Sequence, residues 1–472
     1  MLKRFTKEIL IYGIIGGLGK TIMVLLAPLF TQYFLPDEMA VLDLATGLIT
    51  FLTLIGMLQM ESSSGRFFYD NSVEKRKHII STSIFFIFGL SVILSLLLVL
   101  FSGNISELLF ENSSYKKLII LGAIILPLGN LFSYQMSMMR YLKKPIHYGV
   151  IYLVQILVTL VLSVVFIAYL NTGIYGFFYA KIIGLFVGLI SVLLYMARAK
   201  LLIIVFNFQI LKKSLAYNLP LMPGLIAVWS NIYLSRFLLL SMVGLADIGL
   251  LSLAFRVGTI CALIEQAIKM TWNPFLFESL KKEGHKEMIR KVFSLLTVLV
   301  FSFAGLLILF MPEIFDIFID EKYTAALMLS TIIVLPLTIR ILDQIVIIGP
   351  SIVKKTQYNS YLTMAVLTLN IVLIYVIVPE YGVIGVPISL GIASIFKIFV
   401  GNAISEKLYS VKLNMKLFLI MLITIIMWCF FNLKMQIPLY GKILIAVVMI
   451  FIIAQFLFYK FKGKKGMLSY EA

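Results

Sequence analysis

Two long apolar stretches near the middle of the chain, residues 219–243 and 248–271, are interrupted by charged side chains. The interrupting residues are Arg236, Arg256, Glu265 and Lys269. Each stretch is long enough to cross the hydrocarbon core of a bilayer, about 30 Å, as a helix. A charge at the centre of a membrane helix costs about 2.5–3.5 kcal/mol, so four of them in contact with lipid would cost roughly 10 kcal/mol. We therefore expect most of these side chains to face protein, a partner or a water-filled cavity, and we expect a polar pathway at these two helices.

Spacing along a helix predicts which charges neutralise one another. Glu265 and Lys269 are four residues apart, and Arg340 and Asp343 are three apart, so each pair is expected to form an ion pair on one helix. Arg256 lies half a turn away from Glu265 and has no acidic residue three or four positions from it. Because a guanidinium binds phosphate through two parallel hydrogen bonds, Arg256 is a candidate for binding an anionic group. The alternative is a structural arginine, bonded to carbonyl groups or to an acid on another helix.

Further charges lie inside other apolar stretches. Lys20 shares a helix face with Gly13 and Gly17, which form either a packing seam or a small-residue wall beside a cavity. Asp43 lies close to the outer end of the second stretch and is a candidate for coupling to an ion gradient. Lys397 lies about 10 Å from the nearer end of its helix, so its ammonium is expected to reach the interface. Arg236 has no acidic partner along its own helix.

Composition identifies the elements that carry these charges. Hydrophobic residues make up 61% of the 472 residues and charged residues only 13%, whereas soluble domains carry about 25% charge. Apolar runs of more than 18 residues predict an all-α polytopic membrane protein instead of a transmembrane barrel. The first run is expected to be a retained helix, since no cleavage site follows it. Fourteen spans are predicted, near residues 9–32, 40–60, 79–102, 117–141, 146–170, 174–197, 219–243, 248–271, 289–311, 325–350, 356–379, 382–404, 415–433 and 438–459.

The sequence shows no signature of an enzyme. It has no phosphate-binding loop of the Walker type, no nucleophile elbow and no histidine or cysteine spacing that is typical of a metal site. Cys261 and Cys429 lie in apolar runs and are expected to be buried thiols without a disulfide. We expect a transporter without cofactor or metal, driven by an H⁺ or Na⁺ gradient if it is coupled to an ion.

The net charge of +18 is distributed asymmetrically across the membrane. With the N-terminus inside, most lysines and arginines outside the spans fall in cytoplasmic segments. The segments predicted to lie outside hold only Lys116, Lys117, Lys322, Lys434 and Lys442. This bias follows the positive-inside rule, explains the charge without nucleic acid and predicts that both termini are cytoplasmic.

The two halves of the chain repeat each other at an offset of 209 residues. Residues 120–128 match 329–337 around a shared Leu-Pro-Leu, and 173–176 match 382–385. Each half has an even number of spans, so both enter the membrane from the same side as parallel repeats, with the site expected between them. The expected organisation is a six-helix N-lobe, a six-helix C-lobe, and two further helices with a basic tail, at residues 1–205, 206–410 and 411–472.

Several local motifs are similar to those of a known family. They are the basic loop 62–69 with Arg66 and the recurring turns at 173–176 and 381–385, whereas the turn at 33–40 departs from the Glu-Tyr-Gly turn that is usual in the family. With the two-lobe plan, they make the chain resemble the polysaccharide biosynthesis, or repeat-unit flippase, branch of the MOP exporter superfamily. Relatives of that branch are the lipid II flippase and the MATE drug exporters.

The resemblance implies a V-shaped bundle in the bacterial cytoplasmic membrane that opens alternately to each side. It implies transfer of an undecaprenyl-pyrophosphate-linked oligosaccharide, such as an O-antigen unit of lipopolysaccharide, to the periplasmic leaflet, with membrane lipids and a polysaccharide polymerase as candidate partners. Lys20, Arg236 and Arg256 would then be cavity cations. Glu265, Lys269, Arg340 and Asp343 would be cavity or structural pairs. Helix 2 has no arginine where the lipid II flippase has one, which argues against lipid II as the substrate. The alternatives are a MATE-like H⁺- or Na⁺-coupled multidrug antiporter, which needs unpaired carboxylates, and a scaffold protein in a polysaccharide assembly complex.

Overall fold

The structure is a computed structural model, and it describes residues 25–68, 71–280, 283–353, 355, 357–435 and 437–462. Every regular element in that part of the chain is a helix, which confirms the predicted all-α class. The Cα positions form two compact units, Met1–Leu253 and Ala254–Ala472.

The described residues of the first unit form ten α-helices and the start of an eleventh. They are α1 (Ala27–Tyr33), α2 (Pro36–Met57), α3 (Met60–Phe68), α4 (Val73–Leu100), α5 (Ser102–Phe110), α6 (Lys116–Tyr141), α7 (Pro145–Val164), α8 (Tyr175–Arg198), α9 (Phe208–Asn218), α10 (Met222–Leu239) and α11 (Leu245–Ser279). Helix α11 continues into the second unit. A π-helical turn, Val165–Tyr169, extends α7.

In the second unit, the part of the chain that the structure describes forms most of α11 and eight further α-helices. They are α12 (His285–Leu309), α13 (Met311–Phe318), α14 (Ala326–Val346), α15 (Gly349–Ile352), α16 (Gln357–Tyr381), α17 (Gly385–Leu408), α18 (Met415–Lys434) and α19 (Leu439–Lys462).

The helices correspond to the predicted spans. Each span from 40–60 onward coincides with a helix, whereas the first, 9–32, falls largely outside the described residues, which show α1 at its end. Ten helical stretches of the described chain are long and apolar enough to cross a membrane, and one of them, Gln357–Leu408, comprises both α16 and α17. The protein is therefore a multi-pass membrane protein.

Local sequence explains how α2 starts and stops. Pro36 occupies its first turn, where the missing N–H leaves no bond unmade. The carboxylate of Glu38 accepts the N–H of Leu35 at 2.9 Å, which satisfies a backbone donor ahead of the helix. The helix ends at Met57, and the next residue, Leu58, caps it with a left-handed φ of 39°.

Secondary structure follows the repeat that the sequence predicts. Short helices α5 and α13 begin at Ser102 and Met311, 209 residues apart, and each precedes a long helix that contains an internal proline. Those prolines, Pro127 and Pro336, are also 209 residues apart. The lobe boundaries at residues 205 and 410 stay a prediction.

Polar side chains tie the helices of the first unit together. The hydroxyl of the fully buried Tyr134 lies 2.9 Å from that of Ser64 on α3. Asn130 donates a hydrogen bond of 2.8 Å to Ser91 on α4. Such bonds between helices add specificity to packing that lipid alone does not drive.

Candidate functional site

One face of α11 packs against α14 in the second unit. A Cβ atom at Gly258 would lie 2.4 Å from Leu337 Cδ1, so the helices come close there. About four turns further on, Trp272 donates its indole N–H to the carbonyl of Gln344 at 3.2 Å. Glu265 lies seven residues from each of these two contacts, which is two helical turns, so its side chain is on the same face and meets α14.

Three charged residues meet at that contact. We call Glu265, Lys269 and Arg340 the Glu265 cluster. Lys269 bonds Oε1 of Glu265, which confirms the predicted pair, while Nε and Nη2 of Arg340 lie 3.0 and 2.9 Å from Oε2. Glu265 is 8% exposed, but the side chains of Lys269 and Arg340 are 50% and 37% exposed. The cluster therefore joins two accessible cations to one buried carboxylate and has a formal charge of +1.

The predicted pair of Arg340 with Asp343 is wrong. The ammonium of Lys397 on α17 lies 2.5 Å from Oδ2 of Asp343, so Lys397 also does not extend to the interface as expected. Residues three apart on a helix point about 60° apart, which directs Arg340 towards α11 and Asp343 towards α17. Asp343 is 7% exposed, and the pair that it forms is electrically neutral.

A second buried ion pair lies in the first unit. Nε of Arg236 on α10 lies 2.6 Å from Oδ2 of Asp43 on α2, and the hydroxyl of Ser252 donates to the same oxygen at 2.9 Å. The sequence is correct that Arg236 has no acidic partner on its own helix, since its partner comes from another helix. Arg236 is 3% exposed, and its role as a cavity cation stays a prediction. A coupling role for Asp43 stays a prediction.

Two further residues are predicted to be cavity cations, Arg256 and Lys20. Arg256 is buried in α11, with 6% of its surface exposed, and its role in binding an anion stays a prediction. Lys20 lies outside the described residues, so its predicted place beside a cavity stays a prediction too.

The sequence interpretation missed Glu61. The sequence predicts a basic loop at 62–69, whereas the described residues Met60–Phe68 form the short helix α3. This places the half-buried Glu61 in its first turn, with an Oε2 atom that accepts no hydrogen bond from the described residues. The described residues contain no group of three or more histidine, cysteine or acidic side chains arranged to hold a metal ion.

The Glu265 cluster lies towards one end of the spans. Glu265 is about 30 Å along α11 from Leu245, and Arg340 is about 21 Å along α14 from Ala326, at 1.5 Å per residue. The distribution of loop charges predicts that both helices run from outside to inside. The cluster is therefore in the half of these helices that is predicted to be cytoplasmic.

The fold and the charges held inside its spans define a multi-pass membrane protein with a polar site at membrane depth. A family model described as polysaccharide biosynthesis protein matches residues 71–328, more than half of the 472 residues. The chain belongs to this polysaccharide biosynthesis protein family, which confirms the resemblance noted from its motifs.

Solved structures of other membrane proteins share their fold with this chain. The lipid II flippase MurJ, in an inward closed conformation, superposes with a TM-score of 0.76 over 96% of this chain and 99% of its own, at 15% identity. An inward-facing multidrug resistance MATE family transporter of the MOP superfamily gives 0.64 over 83% of this chain and 96% of its own, at 16% identity. The Vibrio cholerae MATE transporter VcmN in its bent form gives 0.53 over 90% and 98%, also at 16%. No curated protein sequence matches the chain significantly.

Proposed function

We propose that this protein is a flippase that carries a lipid-linked oligosaccharide from the cytoplasmic to the outer leaflet of a bacterial cytoplasmic membrane. Membership of a polysaccharide biosynthesis family supports a glycan as cargo, and the fold is shared with a protein named as a lipid II flippase. The anchor that we propose is undecaprenyl pyrophosphate, whose charge must leave bulk water during transfer. O-antigen units of lipopolysaccharide are candidate cargo, and a polysaccharide polymerase is a candidate partner.

The observation that carries this proposal is the excess positive charge of the Glu265 cluster. Arg340 lies inside the predicted span 325–350, about 15 Å from its nearer end, and exposes more than a third of its side chain, while Lys269, at the end of its span, exposes half. Exposure of the Arg340 guanidinium to lipid would cost several kcal/mol, so this surface should meet water or a polar ligand. A site with two cations and one carboxylate favours an anion, and a diphosphate is the anionic part of the proposed substrate.

The proposal is tested by glycan export in cells. Lys269→Gln and Arg340→Gln should each reduce delivery of the glycan to the cell surface at normal membrane abundance of the protein. Lys291→Gln is the matched control, because Lys291 forms an ion pair with Glu287 at the same four-residue spacing on α12. Full export by an abundant Lys269→Gln, Arg340→Gln double variant would contradict the proposal.

The alternative is a cation-coupled drug antiporter, whose chemistry needs a carboxylate without a fixed cation. The described acidic side chains that are less than a tenth exposed, Glu265 and Asp343, both form ion pairs. Glu61 is the observation that favours the antiporter, because one of its oxygens has no hydrogen-bond partner among the described residues. Drug resistance that is lost in Glu61→Gln, with glycan export unaffected by deletion of the gene, would favour the antiporter.

A further inference from the structure

The Glu265 cluster holds its two cations unevenly. Arg340 directs its Nε and Nη2 atoms at a single oxygen of Glu265, and no other hydrogen bond joins it to the described residues. Lys269 gives one bond to the other carboxylate oxygen while half of its side chain stays exposed. Each cation therefore keeps donors that face away from Glu265, where an incoming anion can bind them.

The carboxylate of Glu265 has the same recognition chemistry as a phosphoryl group. Its two oxygens present separate acceptors to an ammonium and a guanidinium, which are the two side chains that bind phosphate in proteins. A diphosphate that reached the same donors would bring like charge against the carboxylate, so the two anions compete. Because the cations are partly exposed and Glu265 is buried, the carboxylate sits behind them and the ligand would approach from the open side.

We propose that Glu265 is an internal competitor that occupies the diphosphate site of the empty transporter, holding Lys269 and Arg340 until a diphosphate displaces it. This inference rests on the proposed function and assigns the site of the anionic headgroup. Glu265 positions the two cations before the ligand arrives. Glu265 pairs with the two cations again when the ligand leaves. This competition weakens binding of the diphosphate and speeds its release.

The competition predicts opposite changes in affinity and turnover. In Glu265→Gln the site charge rises from +1 to +2 and the competing carboxylate is lost, while the side chain keeps its shape. Inorganic pyrophosphate should then bind about ten- to a hundredfold more tightly, the scale of one charged hydrogen bond. Glycan export should fall, since release slows. Both cations are partly exposed, so the substitution does not leave a fully buried charge and the protein should remain folded.

The experiment measures binding of inorganic pyrophosphate and of farnesyl diphosphate to the purified full-length protein by calorimetry. Glu287→Gln is the control, since it breaks an ion pair of the same spacing at an exposed site, and its affinity should equal that of the unchanged protein. Addition of Lys269→Gln or Arg340→Gln to Glu265→Gln should remove the gain. Tighter binding of farnesyl diphosphate than of pyrophosphate supports a lipid-linked ligand, whereas equal binding contradicts that source.

Two results overturn the inference. One is unchanged or weaker binding of both ligands in a folded Glu265→Gln protein, and the other is a gain of similar size in Glu287→Gln. The proposed function fails separately. If the affinities change as expected but deletion of the gene leaves surface glycan intact, the assignment of the diphosphate site is supported and the flippase proposal is wrong. If deletion abolishes glycan export but Glu265→Gln binds normally, only the inference about Glu265 is wrong.

Discussion

The ion pair between Asp43 and Arg236 offers a quantitative test of the packing of α2 against α10. Arg236 is 3% exposed, and its Nε lies 2.6 Å from the carboxylate of Asp43, so neither charge has bulk water as a substitute partner. Removal of one member of a buried pair costs about 3–5 kcal/mol, because the other charge stays buried without compensation. Replacement of both members by apolar residues of similar size is often neutral.

We therefore expect Asp43→Leu and Arg236→Met each to lower the free energy of unfolding by about 3–5 kcal/mol. The double variant should lose less than either single variant, so the coupling energy should be at least about 3–5 kcal/mol, at or above the upper end of the roughly 0.5–3 kcal/mol that is typical of contacting residues. Titration of the purified proteins with sodium dodecyl sulfate in mixed micelles measures these free energies.

Asp37→Leu is the control for loss of an acidic residue from α2. Asp37 is exposed in the first turn of that helix, where a carboxylate contributes about 0.3–1 kcal/mol through the helix dipole. If the losses in Asp43→Leu and Arg236→Met simply add in the double variant, the two residues are not coupled and the pairing is incorrect.

Three further outcomes are expected. Gly249→Ala should sharply reduce folded protein, because its Cβ would lie 1.8 Å from a backbone carbonyl oxygen at the start of α2, whereas Gly224→Ala, with open space around it, should have normal abundance on a gel-filtration assay. Lys397→Met should leave the buried carboxylate of Asp343 without its cation and lower the free energy of unfolding by about 3–5 kcal/mol. Addition of Asp343→Leu should restore most of this free energy, and no restoration would contradict the pair. A reporter enzyme that is active only in the periplasm should be silent when fused after Ala472, and activity would refute the predicted cytoplasmic C-terminus.

The positions of the helices were accessible from the sequence because each depends on local information. The span predicted at 382–404 is helix Gly385–Leu408, and that at 415–433 is Met415–Lys434. Apolar length and turn residues determine these bounds, and neither requires knowledge of distant parts of the chain. Helix α11 exceeds its predicted span because its last turns, up to Ser279, are no longer apolar enough to be counted as membrane.

The ion-pair partners of the charged residues could be predicted only in part from the sequence. Glu265 and Lys269 were predicted correctly, since a four-residue spacing on one helix brings the two groups together in any packing. Arg340 had a candidate acid three residues away in Asp343, but it bonds Glu265 on the neighbouring helix. The spacing of charged residues along a helix shows which ion pairs are possible. The packing of neighbouring helices determines which of them form, and a single sequence does not reveal that packing.

Burial and charge balance separate structural from functional ion pairs in this chain. Asp43 with Arg236, and Asp343 with Lys397, are neutral pairs whose members are mostly enclosed, so a ligand would gain little by competing for them. The Glu265 cluster differs in both respects, because its charge does not balance and its cations are the exposed members. Excess charge at membrane depth is costly unless a ligand or water compensates for it. Lys269 and Arg340 are therefore the candidate residues for binding the anionic part of the substrate.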